Sequence, residues 1–158
     1  MNHQAVVETP VGTLQVISDD TALVQVGWID ESGGAATSGE TDTPLLRQAV
    51  TELQEYFAGK RTLFTVPIRF TGSDFTVKVL KALAEVPYGE VVSYKELATR
   101  TGSPAAARGI GRVMAGNRLP IILPCHRVVA ADGSLTGYSG QGGTKTKRWL
   151  LDFEKGNV

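Results

Sequence analysis

The chain has 158 residues, 42% of them hydrophobic, with ordinary glycine and proline usage, which fits one or two small globular domains and excludes a disordered or low-complexity chain. One cysteine and two histidines exclude a disulfide framework and a structural zinc site, so any chemistry is expected from organic side chains, with no metal and no cofactor. The net charge of zero is unevenly spread: residues 1–74 carry 4 basic against 10 acidic side chains (−6), and residues 75–158 carry 12 against 6 (+6).

This asymmetry predicts that the C-terminal part meets a polyanion. No window approaches ~18 continuous apolar residues, and "MNHQAVVETP" has no apolar core of a signal peptide. No membrane association and a cytoplasmic location are expected, consistent with a lone cysteine in a reducing compartment.

In chain order, "TLQVIS" and "ALVQVGWI" around "DDT" predict a hairpin, and "DESGGAATSGETD" predicts a polar loop. Thr43 and Pro44 open a helix whose Leu45, Leu46, Ala49, Val50, Leu53 and Phe57 recur at helical spacing, with Gly59 at its end. "TLFTVPIRF" reads as an edge strand, because Pro67 cannot donate to a ladder. These segments form a small α+β domain over residues 1–72, a scaffold with no evident active site.

A second domain, 73–158, opens with the helix "SDFTVKVLKALAEV", which "PYGEVV" ends. In "SYKELATRTG", Ser93 and Glu96 form a capping-box pair ahead of a helix that stops at Gly102. "SPAAARGIGRVMAGN" predicts a second helix over Ser103–Asn117, capped by Ser103 with Pro104 at its first position. The pair reads as a helix-turn-helix. At 100° per residue, Ala106, Ile110 and Val113 share the inner face of the second helix, and Ala105, Arg108, Arg112 and Ala115 the outer one. Small residues, with Gly109 and Gly111 beside them, let a backbone approach another surface, and arginines bind phosphates or bases. A solvated face gains nothing from two interior glycines that cost roughly 1 kcal/mol each. "GGTKTKRWLLDFEKG" closes the chain as an amphipathic helix with Trp149, Leu150 and Phe153 apolar.

"IILPCHRVVAADG" reads as a buried strand carrying Cys125 between Pro124 and His126. A buried cysteine is commonly inert. Here Arg127 adds positive charge that favours a thiolate, and the Gly-rich "AADGSLTGYSGQGG" is the kind of loop that lines pockets. Strand neighbours point to opposite faces, so His126 reaches Cys125 only through water or a bend at Pro124. Glu154, near the end of the final helix, is the candidate carboxylate to orient the imidazole and complete an activated-nucleophile relay.

"ARGIGRVMAGNRLP", "ILPCHRV" and "GYSG" together closely resemble the O6-alkylguanine-DNA alkyltransferases, over about Phe75 to Glu154. The resemblance implies an RNase H-like α+β domain followed by a mostly helical, winged helix-turn-helix-like domain. It further implies single-turnover repair of O6-alkylguanine in double-stranded DNA, with nucleotide flipping, by a monomer; cooperative binding is left open.

In that reading Cys125 accepts the alkyl group, and His126, through water and oriented by Glu154, generates its thiolate. Asn117 braces the turn between recognition helix and active-site segment, and Tyr94 donates a proton to the departing guanine. Arg108 enters the base stack, while Ala105, Gly109, Arg112 and Ala115 meet the groove. Pro120, Tyr138 and Ser139 wall the base pocket. The basic contact at Arg112 stands where relatives carry a small residue, and Ala115 where they carry an arginine. The rival expectation is a DNA-binding regulator in which Cys125 is a sensor or core thiol.

Overall fold

A computed structural model describes residues 2–29, 42–103, 105–135 and 143–156. The chain divides into two compact units, Met1–Arg69 and Phe70–Val158.

In the first unit, β1 (His3–Thr9), β2 (Gly12–Ser18) and β3 (Leu23–Trp28) form an antiparallel sheet in the order β1-β2-β3. The hairpin at "DDT" is β2–β3, where the Asp19 side chain accepts from the Thr21 and Ala22 N–H groups. Sequence reasoning missed β1, which pairs with β2 along its whole length. In β2, Leu14, Val16 and Ser18 are buried alternately, as a half-covered strand requires. Helix α1 (Pro44–Phe57) lays Leu46, Ala49, Leu53 and Tyr56 on this sheet, and its N-cap Thr43 accepts from the Leu46 N–H.

The strand expected over "TLFTVPIRF" shrinks to one parallel bridge, Leu23 with Ile68, held by Leu23 N–H to Pro67 C=O and Arg69 N–H to Leu23 C=O. The backbone of Thr65 and Val66 donates instead to the buried Glu52 carboxylate of α1, which takes this segment out of any ladder.

In the second unit, α2 (Asp74–Ala84) is capped by Ser73, and α3 (Tyr94–Arg100) carries the capping box of Ser93 and Glu96. Helix α3 ends in a Schellman motif. Gly102 takes φ +87, its N–H donates to Thr99 C=O, and the Ser103 N–H donates to Ala98 C=O.

The next helix does not start at Ser103, whose C=O instead closes a single turn by accepting the Ala106 N–H. Helix α4 runs Ala107–Ala115, shorter than the expected 103–117, with Ala106 as N-cap and no side-chain cap. Pro104 lies outside the described residues. α3 and α4 pack together as the helix-turn-helix, burying Leu97, Ala98, Ile110, Val113 and Met114.

The strand expected around Cys125 is also corrected. Cys125–Arg127 is a 3-10 turn, and only Val128–Val129 (β5) is extended, pairing in parallel with β4 (Val92–Ser93). Helix α5 (Thr144–Glu154) packs on this turn and buries Thr146, Lys147, Leu150, Leu151 and Glu154. Trp149 and Phe153 lie half-buried and stacked, 5.0 Å between centroids.

Candidate active site around Cys125

The segment that carries the thiol is built by a side chain. Beyond α4, the Leu119 N–H donates to Asn117 Oδ1 (3.0 Å), and Asn117 Nδ2 donates to Leu123 C=O (2.9 Å). The buried Asn117 thus spans the whole reversal, which the Leu123 N–H to Leu119 C=O bond closes. Inside it, Ile121 adopts φ 75 while buried, a left-handed conformation that costs a β-branched residue of order 1–3 kcal/mol. Pro124, at φ −79 and ψ 65, makes an inverse γ-turn, with Cys125 N–H donating to Leu123 C=O at 2.7 Å. The chain turns where a strand was expected because these local bonds satisfy its backbone.

His126 is fully buried, and its Nε2 lies 2.7 Å from Glu154 Oε2. A carboxylate only accepts, so Nε2 carries the hydrogen and Nδ1 is the acceptor of a neutral ring. Nδ1 is buried and meets no partner among the described residues. Burial would raise the Glu154 carboxyl, but hydrogen bonds from His126 and Arg127 outweigh it and hold the group well below the usual carboxylate range. Burial also lowers His126, against the opposing pull of Glu154, so the imidazole rests neutral. Burial pushes the Cys125 thiol up, with a hydrogen bond to Asn117 and the charge of Lys147 opposing it.

Arg127 differs from expectation. It grips Glu154 with Nε to Oε1 (2.8 Å) and Nη2 to Oε2 (2.9 Å), and its Nη1 donates to Val86 C=O. The cation coupled to the thiol is Lys147, which sequence reasoning did not single out. It is 1% exposed, with Nζ 6.0 Å from the Tyr94 ring centroid. The signal was its spacing: Lys147 and Glu154, seven residues apart, share one stripe of α5.

The remaining expected residues fall as follows. The β4–β5 pairing sets half-buried Tyr94, the first residue of α3, beside the segment that follows Cys125. Pro120 is buried within the reversal. Tyr138 and Ser139 lie outside the described residues. Ala105, Arg108, Arg112 and Ala115 are exposed. Gly109 does not join them: a Cβ there would meet the Phe75 ring of α2 at 3.0 Å, so its missing side chain seats α4 on α2. Gly111 is the open one, with nothing within 4 Å of a Cβ. Among the described residues no cluster of His, Cys, Asp or Glu could hold a metal ion, and no helix is long and apolar enough to cross a membrane.

A buried thiol, an imidazole and an ionised carboxylate within the unit that carries a helix-turn-helix define a thiol-dependent protein of the nucleic-acid-contacting class. The chain belongs to the 6-O-methylguanine DNA methyltransferase family. The model of its ribonuclease-like domain matches residues 2–70 and that of its DNA-binding domain residues 74–156.

Among relatives, the constitutive methylated-DNA–protein-cysteine methyltransferase of Bacillus subtilis is 39% identical over 160 residues, covering 98% of this chain and 96% of its own. That of Mycobacterium tuberculosis is 39% identical over 156 residues, covering 98% and 93%. The crystal structure of the M. tuberculosis O6-methylguanine methyltransferase superposes with TM-score 0.85 at 38% identity, covering 100% of this chain and 95% of that one. A structure of the M. tuberculosis protein in complex with DNA gives 0.86 at 39% identity, covering 99% and 94%.

Proposed function

We propose that the protein repairs double-stranded DNA by moving the alkyl group of an O6-alkylguanine onto Cys125, once per chain. The observation that carries this reading is a buried pair beside the only cysteine in the sequence: the imidazole of the following residue, His126, is fully buried with its Nε2 2.7 Å from an ionised carboxylate. The relatives' names supply the reaction class, and the relative solved with DNA supplies the partner. The regulatory reading of Cys125 as a sensor or core thiol is not favoured beside them.

The chemistry follows from the groups present. His126 Nδ1 takes the Cys125 proton, through water, while Glu154 steadies the imidazolium that forms. The soft thiolate attacks the sp³ alkyl carbon in line, forming an S–C bond as the C–O6 bond breaks. The electron pair passes to the guanine ring, which takes up a proton from the Tyr94 hydroxyl. The proton gained by His126 balances the one lost by Tyr94, and solvent restores both. Water does not cleave the thioether product, so the protein is consumed.

The lesion lies inside a duplex and has to be everted, at a cost of a few kcal/mol. Arg108, with Ala105, Arg112, Ala115 and the open Gly111 backbone, forms the face of α4 that enters the minor groove, and Arg108 fills the gap left by the base. Asn117 braces the reversal, and Pro120, Tyr138 and Ser139 wall the pocket. In this reading residues 73–158 are the acting domain and 1–72 its scaffold. The protein works as a monomer in the cytoplasm.

The test is stoichiometry. Successive additions of duplex containing O6-methylguanine, followed by intact-protein mass, are expected to plateau at one methyl group per chain. Turnover beyond one equivalent would point to a hydrolytic thiol enzyme, and no mass gain with tight duplex binding to the regulator.

A further inference from the structure

The Glu154 carboxylate serves three partners. Its Oε2 meets both His126 Nε2 (2.7 Å) and Arg127 Nη2 (2.9 Å), and its Oε1 meets Arg127 Nε (2.8 Å) and the Gly89 N–H (3.2 Å). Arg127 is 6% exposed and is itself held by Val86 C=O, with its guanidinium carbon 5.6 Å from the Tyr88 ring centroid. The Arg127 and Glu154 side chains are both buried, and each has a further hydrogen-bond partner, Val86 C=O for Arg127 and the Gly89 N–H for Glu154. A two-pronged guanidinium–carboxylate pair is the strong form of such contacts, and arginine keeps its charge at any working pH.

That geometry bears on the imidazole. A buried carboxylate facing an imidazole alone draws a proton onto the ring, because the charged pair is then favoured over two neutral groups beside an uncompensated anion. A second cation on the same carboxylate removes that pull. We propose that Arg127 is a positioning residue for alkyl transfer: by neutralising and fixing Glu154 it keeps His126 an uncharged acceptor, able to take the Cys125 proton when a lesion enters. The inference rests on the alkyl-transfer reading.

The proton leaves Cys125 Sγ for His126 Nδ1. The ring then carries hydrogens on both nitrogens, with Nε2 still donating to Glu154. The charged and titratable groups around His126 are Glu154 and Lys147 from α5, Arg127 from its own turn, and Tyr88 from the residues before β4, which faces Arg127 and Glu154. Of these Glu154 alone favours the imidazolium; Arg127 and Lys147 oppose it, in line with the burial that dominates.

The chain has two histidines, so ring 15N resonances are assigned by comparison with His3→Gln. Titration of His126 is followed in the wild type, R127Q and R127K, with single-turnover transfer from an O6-methylguanine duplex measured over the same pH range. In R127Q the ring is expected to take its proton about one pH unit higher than in the wild type. The low-pH limb of the transfer rate should move up with it, while R127K, which restores the charge, returns both toward the wild type. A merely structural arginine would lower thermal stability and leave the His126 titration in place. A His126 titration unmoved in R127Q, or a rate limb that does not follow it, overturns the proposal.

Should R127Q not fold, the wild-type titration decides: a ring with hydrogen on Nε2 that stays neutral below the ordinary value of 6.5 supports the proposal, and an imidazolium already present there overturns it. Wild-type protein that takes no methyl group at any pH removes the alkyl-transfer reading instead, and the titration then decides the electrostatic claim alone.

Discussion

At the scale of single residues the site stores its reactivity as burial. Cys125 rests as a thiol because its surroundings are dry, and His126 rests neutral chiefly for the same reason. The cost shows in acid. Both His126 and Glu154 bind protons less readily folded than at their ordinary values of 6.5 and 4.5. Each therefore contributes stability that is present above its unfolded value and is lost as pH falls through its folded one. The thermal midpoint should decline from about pH 6.5 downward and more steeply below about pH 4.5. Glu154→Gln should flatten the lower part of that curve in a series of melts. A midpoint constant from pH 7 to 4 would contradict the assigned charge states.

Among the elements, α4 carries a trade between stability and function. Gly111 has open space where a Cβ would go. Gly111→Ala should therefore raise stability by about 1 kcal/mol in chemical denaturation, the helix-propensity difference. The same change should weaken duplex binding if that open space is where DNA approaches. Unchanged binding would remove Gly111 from the interface. Gly109 was grouped with the groove face from its spacing, but a helix wheel cannot tell which neighbour fills the space over a glycine, and Phe75 does.

What the sequence made legible was local. Thr43, Ser73 and the Ser93–Glu96 box mark three helix starts whose capping bonds need only neighbouring residues. β1 escaped because the run Ala5-Val6-Val7 breaks strict apolar alternation and its partner defines it. The thiol segment was read as a strand because its apolar run has no period that separates strand from turn, and its course is set by the Asn117 side chain. The grip of Arg127 on Glu154 joins residues 27 apart in sequence, which no spacing rule foretells.

At the scale of the whole molecule, a basic half with 12 cationic against 6 acidic side chains carries the helix-turn-helix, and the acidic half is a separate unit. Reaching a base inside a duplex is a task distinct from the chemistry on it. Arg108→Ala is therefore expected to slow repair of duplex DNA by at least tenfold, about 1.4 kcal/mol, while leaving reaction with a free O6-benzylguanine base near the wild-type rate. Single-turnover rates on the two substrates separate these effects. Equal losses on both would assign Arg108 to the chemistry or the fold and take base extrusion away from it.

The measurement that bears most directly on the account is the location of the alkyl group after reaction. Wild-type protein exposed to one equivalent of O6-methylguanine duplex and then mapped by peptide mass spectrometry should carry one methyl group, on the peptide containing Cys125. Cys125→Ser should bind the same duplex and remain unmodified. A methyl group on any other residue, or a lesion lost while Cys125 stays a free thiol, would contradict it.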